Sequence, residues 1–147
     1  MTRILVLNGP NLGTLGSREP EVYGTETLAD IEAALRARAA ELGVEIRLAQ
    51  SNHEGAIVDL LEEERSRADG CIINPGGLSH TSVVLADAVR AFAHPVVEVH
   101  LSNIFAREPV RRVSLCAEAA SAVITGLGAR GYMLALDGLV GMLAADT

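Results

Sequence analysis

Arg18 and Tyr23 stand five residues apart in a polar stretch, and such a pair has a defined chemical use. A tyrosine ordinarily ionises near pH ~10, so it serves as a base at neutral pH only where a positive charge favours its phenolate. Arg18 can supply that charge; the plainer alternative is a surface arginine beside a tyrosine packed on a neighbour. A second pair is Glu98 and His100, within the run Val96 to His100. Strand alternation puts both on one face, opposite Val97 and Val99, where a carboxylate orients the imidazole or keeps it protonated as a general acid. A strand-end histidine satisfied by local hydrogen bonds is the alternative.

A third group follows an apolar run: Asn74-Pro75-Gly76-Gly77-Leu78-Ser79-His80. Its glycines let the chain turn sharply while Asn74 and His80 present polar groups near a helix start, where free amides favour anions. Asp87 lies seven residues past His80, two helical turns away, so the two share a face and line one pocket or an adjoining subunit's pocket. A helix cap and a solvated carboxylate explain them equally. Arg107, Arg111 and Arg112 crowd a stretch broken by Pro109, and suit an oxygen-rich anion, support of the tyrosinate, or surface ion pairs. Tyr132 falls in the apolar pattern of the last helix and reads as packing, while His53 and His94 read as structural.

Positioning these groups falls to alternating strands and helices. Residues 3–7 form a short buried strand that stops at Asn8-Gly9-Pro10. The next periodic segment begins only near Thr27, so residues 8–25 form a connection much longer than the usual ~2–6 residues and read as an active-site lid. Residues 27–42 form a helix with Leu28, Ile31, Leu35 and Ala39 on one face, ended by Gly43. A strand over 44–49 follows, then a capping box at Ser51 to Glu54 opening a helix to about Arg67. Strands over 70–73, 96–99 and 122–125, with helices over about 81–92 and 127–143, complete the series.

The fold expected is α/β, a flavodoxin-like three-layer sandwich with a five-stranded parallel sheet of order 2-1-3-4-5. Ligands in such sheets bind beyond the carboxyl ends of the strands where the order reverses, here between strands one and three, and the polar segments fall there. At 147 residues, 49% of them hydrophobic, the chain reads as one domain over 1–147. A net charge of -7 argues against nucleic acid or an anionic membrane as partner. With no cleavable leader and no run of eighteen apolar residues, the expected location is the cytoplasm.

All 12 basic residues are arginine. Without lysine, Schiff-base, pyridoxal-phosphate and Walker-loop chemistry are excluded. Cys71 and Cys116 sit in apolar stretches without metal-ligand spacing and read as buried free thiols; no metal is indicated. A receiver domain would need acidic residues at the end of its first strand and a late lysine, both absent; a flavodoxin-like binding or regulatory module is the non-catalytic alternative.

Taken in order, Asn8-Gly9-Pro10-Asn11-Leu12, Arg18-Glu19-Pro20, Tyr23-Gly24, Gln50 to Gly55, Asn74 to Gly77, His80-Thr81-Ser82 and Glu98 to Asn103 resemble type II 3-dehydroquinate dehydratase. The resemblance runs from about Ile4 to Leu136. It implies a reversible anti dehydration of 3-dehydroquinate to 3-dehydroshikimate through an enolate, with no cofactor, in the shikimate pathway or quinate catabolism. It also implies roles. Tyr23 is the base, Arg18 and Arg107 stabilise its phenolate, Asn11 helps hold a water at the enolate oxygen, and His100, oriented by Glu98, is the acid. Asn74 and the backbone amides of Leu101 and Ser102 take the substrate carboxylate. His80, Arg111 and Asp87 of an adjacent subunit take the ring hydroxyls, within a dodecamer built from trimers. Departures from the family pattern fall at Leu60, Phe105, Pro109 and residues 114–121.

Overall fold

Alternating side chains on the central strands face two separate apolar layers, and this divides the molecule. The computed structural model describes residues 1–145. Its strands are β1 (Arg3–Asn8), β2 (Glu45–Gln50), β3 (Gly70–Asn74), β4 (Val96–His100) and β5 (Ala122–Thr125), all parallel, in the order β2-β1-β3-β4-β5. This is the order expected. β1, β3 and β4 each run one residue further than expected, β2 is shifted by one residue at both ends, and β5 has the expected bounds.

The helices are α1 (Pro20–Tyr23), α2 (Leu28–Leu42), α3 (Glu54–Glu64), α4 (Leu78–Thr81), α5 (Val83–Phe92), α6 (Leu115–Ala119) and α7 (Arg130–Ala145). On one face of the sheet, Ile4, Val6, Ile72, Val97 and Val99 pack under Ile31 and Leu35 of α2 and Leu136 and Leu139 of α7. On the other, Leu5, Leu7, Cys71 and Ile73 pack under Ile57 and Leu61 of α3 and Leu85, Val89 and Phe92 of α5. Each such fully buried side chain contributes about 1.5–3 kcal/mol relative to exposure. Cys71 and Cys116 are buried free thiols, and burial pushes both thiols up in pKa, so they stay neutral packing groups.

Because α2 and α3 cover opposite faces, the chain leaves β1 in one direction and returns to β3 in the other. The strand ends therefore part between β1 and β3. There the two following loops touch backbone to backbone: Gly9 N donates to Asn74 O at 2.8 Å. A Cβ at Gly9 would stand 2.6 Å from Pro75 O, and one at Gly76, whose φ is +60°, 2.9 Å from Pro10 O. Only glycine permits this approach.

Several local expectations are corrected. Thr27 does open α2, through a reciprocal cap with Asp30, and Gly43 ends it with φ 69°. The capping box at Ser51 to Glu54 does not form: α3 starts at Glu54, Ser51 Oγ accepts from His53 N, and the Glu54 carboxylate is drawn instead to Ser82 Oγ at 2.6 Å. That helix also stops at Glu64, short of Arg67. The helix expected over 81–92 is broken, because Ser82 turns extended and its hydroxyl caps α5 by accepting from Leu85 N at 2.8 Å. The last helix begins at Arg130, three residues later than expected at 127. Within residues 8–25, a 3-10 turn (Leu12–Thr14) and α1 replace featureless loop, and Leu12 and Leu15 are buried in the core.

At the amino end of the sheet, Glu64 is fully buried and accepts from Arg3 Nε at 3.0 Å and Arg47 Nη1 at 2.5 Å. Burial raises its carboxyl pKa, but the hydrogen bonds from the two guanidiniums more than offset this, and the net direction is down from 4.5. A carboxyl lowered in the folded state lends stability above its unfolded pKa and loses it as pH falls through the folded value. Glu64→Gln should therefore cost about 1–3 kcal/mol at pH 7 and show a shallower loss below roughly pH 4.5 than wild type. Urea unfolding at the two pH values checks this; parallel curves for the two proteins would contradict it.

Candidate active site

A cleft of about 140 Å³ opens at the carboxyl ends of β1, β3 and β4. Asn11, Arg18, Tyr23, Asn74, His80, His100, Leu101, Ser102, Arg107 and Arg111 all line it, so every expected site residue except Glu98 and Asp87 is in one place.

Tyr23 sits at the end of α1, whose first turn carries Pro20, and Gly24 ends it with φ 85°. Arg107 Nη1 donates to Tyr23 Oη at 2.8 Å and to Ser102 Oγ at 3.4 Å. The Arg107 and Arg18 guanidinium carbons stand 5.3 and 5.0 Å from the centre of the Tyr23 ring. Two cations thus flank one phenol ring, each within cation–π range of its centre. Asn11 holds the left-handed conformation, φ 70°, and its backbone N–H donates to Asn52 Oδ1 at 3.0 Å. Gln50 Nε2 donates to the same Oδ1 and to Gly9 O, both at 3.1 Å, which ties this turn to the end of β2.

Glu98 and His100 share one face of β4, as alternation requires. His100 Nε2 donates to Glu98 Oε2 at 2.7 Å, and both residues are buried. Ser114 Oγ donates to the same oxygen at 2.8 Å while accepting from Ala117 N at 3.0 Å as the cap of α6. Glu98 thus stands behind the cleft and fixes the ring that faces it. His80 stacks with His100 at 6.2 Å between ring centres, and its Nδ1 donates to Val113 O at 2.7 Å. That bond puts a proton on Nδ1.

Asn74 ends β3. Its Nδ2 donates to Tyr132 Oη at 2.9 Å and its Oδ1 accepts from Gly76 N at 3.2 Å. Arg111 lies in a 3-10 turn (Pro109–Arg111) and pairs with Glu108, whose carboxyl the Arg111 guanidinium holds below its ordinary pKa. Arg112 turns away from the cleft, donating to Arg107 O at 3.0 Å.

Asp87 is not brought to the site of its own chain. It lies exposed on α5 beside Arg90, 3.5 Å away, and borders a different groove with Leu61 and Arg65. The break at Ser82 is the reason: His80 and Asp87 lie on separate helices, and the shared helical face read from their spacing does not exist.

Two contributors were missed in the sequence. Ser114 lies where the chain departs from the family pattern, and nothing in its spacing points sixteen residues back to Glu98. Tyr132 packs as expected, yet its hydroxyl also bridges Asn8 and Asn74. The available signal was general: a buried tyrosine hydroxyl ordinarily finds a partner.

Residues 2–140 match the family described as dehydroquinase class II. The chain belongs to that family of hydro-lyases. It is 53% identical over 139 residues to a 3-dehydroquinate dehydratase of Roseiflexus castenholzii, covering 95% of this chain and 88% of the relative. It is 51% identical over 134 residues to catabolic 3-dehydroquinase 1 of Aspergillus terreus, covering 91% and 88%. The crystal structure of a type II dehydroquinase from Propionibacterium acnes superposes with a TM-score of 0.92 at 41% identity, covering 96% of this chain and 97% of that one.

Removing the Ser114 hydroxyl deletes both the α6 cap and a support of Glu98. Ser114→Ala should cost about 1–2 kcal/mol of stability. Thermal unfolding checks it, and an unchanged melting temperature would mean the cap carries no weight.

Proposed function

We propose that this chain catalyses the reversible anti dehydration of 3-dehydroquinate to 3-dehydroshikimate through an enolate, without a cofactor. The observation that carries the reading is the 2.8 Å contact of Arg107 with Tyr23 Oη, in the same cleft as a histidine locked to a buried carboxylate. An elimination needs a base and an acid held apart, and these two pairs supply one each.

Tyr23, as phenolate beside Arg107 and Arg18, removes a proton from the methylene next to the ketone. The electron pair moves into the enolate, whose oxygen is met by a water that Asn11 helps hold. Collapse of the enolate forms the ring double bond and breaks the bond to the neighbouring hydroxyl. His100, oriented through Nε2 by Glu98, protonates that oxygen, and it leaves as water. Asn74 and the backbone amides of Leu101 and Ser102 hold the substrate carboxylate. His80 and Arg111 take ring hydroxyls.

Asp87 enters this scheme only from an adjacent subunit, so the reading includes a homo-oligomer, trimers gathered into a dodecamer. It further includes a single functional domain in the cytoplasm, serving the shikimate pathway or quinate catabolism.

The test follows the ultraviolet absorbance of the conjugated enone carboxylate after mixing purified protein with 3-dehydroquinate in the presence of a chelator. Wild type should turn over unaffected by the chelator. Tyr23→Phe and His100→Ala should each lose about 10²–10⁴-fold in kcat. Full activity in Tyr23→Phe would remove Tyr23 as the base, and no turnover by folded wild type would sink the reading.

A further inference from the structure

Tyr132, on α7, is fully buried, and its hydroxyl does more than fill space. It donates to Asn8 Oδ1 at 2.6 Å and accepts from Asn74 Nδ2 at 2.9 Å. Asn8 and Asn74 are register partners at the carboxyl ends of β1 and β3. One helix side chain therefore bridges the two strand ends where the sheet order reverses.

The direction of this chain of hydrogen bonds is set by a backbone group. Gly76 N can only donate, so the Asn74 atom facing it is the carbonyl oxygen, and the NH₂ end faces Tyr132. The Tyr132 oxygen then accepts from Asn74, and its own hydrogen goes to Asn8 Oδ1. Reversing either amide would set two donors or two acceptors against each other. Burial pushes the Tyr132 phenol up in pKa, with the Asn74 hydrogen bond opposing, so the hydroxyl keeps the proton this arrangement needs.

Asn8 Nδ2 is buried with no hydrogen-bond partner among the described residues. An unpartnered buried donor is costly, and an apolar residue at this place would avoid it. What such a residue would lose is the acceptor for Tyr132.

Asn74 lines the cleft with a carboxamide whose oxygen is engaged by Gly76 and one of whose two Nδ2 hydrogens is engaged by Tyr132. The remaining hydrogen is the group available to a ligand. Turned over, the same amide would present an oxygen, which repels an anion.

We propose that Tyr132 is a positioning residue: together with Gly76 N it holds the Asn74 carboxamide with its NH₂ end toward the cleft, and thereby sets the grip on the substrate carboxylate. This rests on the proposed dehydratase reading, in which Asn74 holds that carboxylate.

The test compares Tyr132→Phe, Asn74→Ala and the double variant in steady-state dehydration, with a crystal structure of Tyr132→Phe. In Tyr132→Phe, kcat/KM should fall about tenfold, mainly through a higher KM. In the Asn74→Ala background the same change should cost less than about twofold, because Tyr132 acts through Asn74. The crystal structure, at a resolution that separates amide oxygen from nitrogen, should show the Asn74 carboxamide rotated or in two orientations. An unmoved Asn74, a kcat/KM within about twofold of wild type, or equal losses in both backgrounds would each overturn the proposal. Asn8→Ala, which removes the acceptor for the Tyr132 hydrogen, provides a second variant should Tyr132→Phe not fold. It should lower kcat/KM in the same direction, and an unchanged value would overturn the proposal. Wild type that does not dehydrate 3-dehydroquinate would defeat the functional reading instead, while the crystal structure still decides whether Tyr132 holds Asn74.

Discussion

The hydrogen bond from Arg107 to Tyr23 joins residues 84 positions apart, and the rest of the site is arranged to make it possible. Tyr23 belongs to the segment after β1 and Arg107 to the segment after β4; a parallel sheet delivers both to the same edge. The segment carrying Tyr23 is anchored, not free, because Leu12 and Leu15 are sunk in the core and Asn11 is tied to Asn52. At its root, Gly9 and Gly76 allow the loops after β1 and β3 to touch. A side chain at either glycine would push the loops apart and with them the two halves of the cleft.

Behind the cleft stand two buried polar chains, one of Ser114, Glu98 and His100, the other of Asn8, Tyr132 and Asn74. Both run between the sheet and a neighbouring helix. Away from water each hydrogen bond is electrostatically stronger, and an unmade one costs more, so the partners have few alternative positions. Fixed geometry is what the proposed acid catalysis and carboxylate binding require. The apolar layers above and below the sheet supply the stability that lets these polar groups be buried.

Much of this was legible in the sequence. Apolar runs marked the strands, and the sheet order followed from the strand and helix alternation. Thr27 and Gly43 bounded α2 because capping and left-handed termination are local chemistry. Tyr23, His100, Asn74 and their neighbours were legible as motifs and meet in one cleft. Elements of three to five residues, such as α1, α4 and α6, carry too few positions to show a period. The Glu54–Ser82 contact, which accompanies both the break at Ser82 and the missing cap at Ser51, spans 28 residues, and spacing does not encode it. For the same reason Tyr132, bonded across 58 and 124 residues, read only as packing.

The central claim is that Tyr23 and His100 act on different steps, one forming the enolate and the other releasing water. Incubating 3-dehydroquinate in deuterium oxide and following the methylene beside the ketone by proton NMR separates those steps. His100→Ala should carry deuterium into that methylene faster than the protein-free reaction while forming little product, and Tyr23→Phe should not exceed the protein-free rate. Enzyme-dependent exchange that survives in Tyr23→Phe and vanishes in His100→Ala would contradict the assignment.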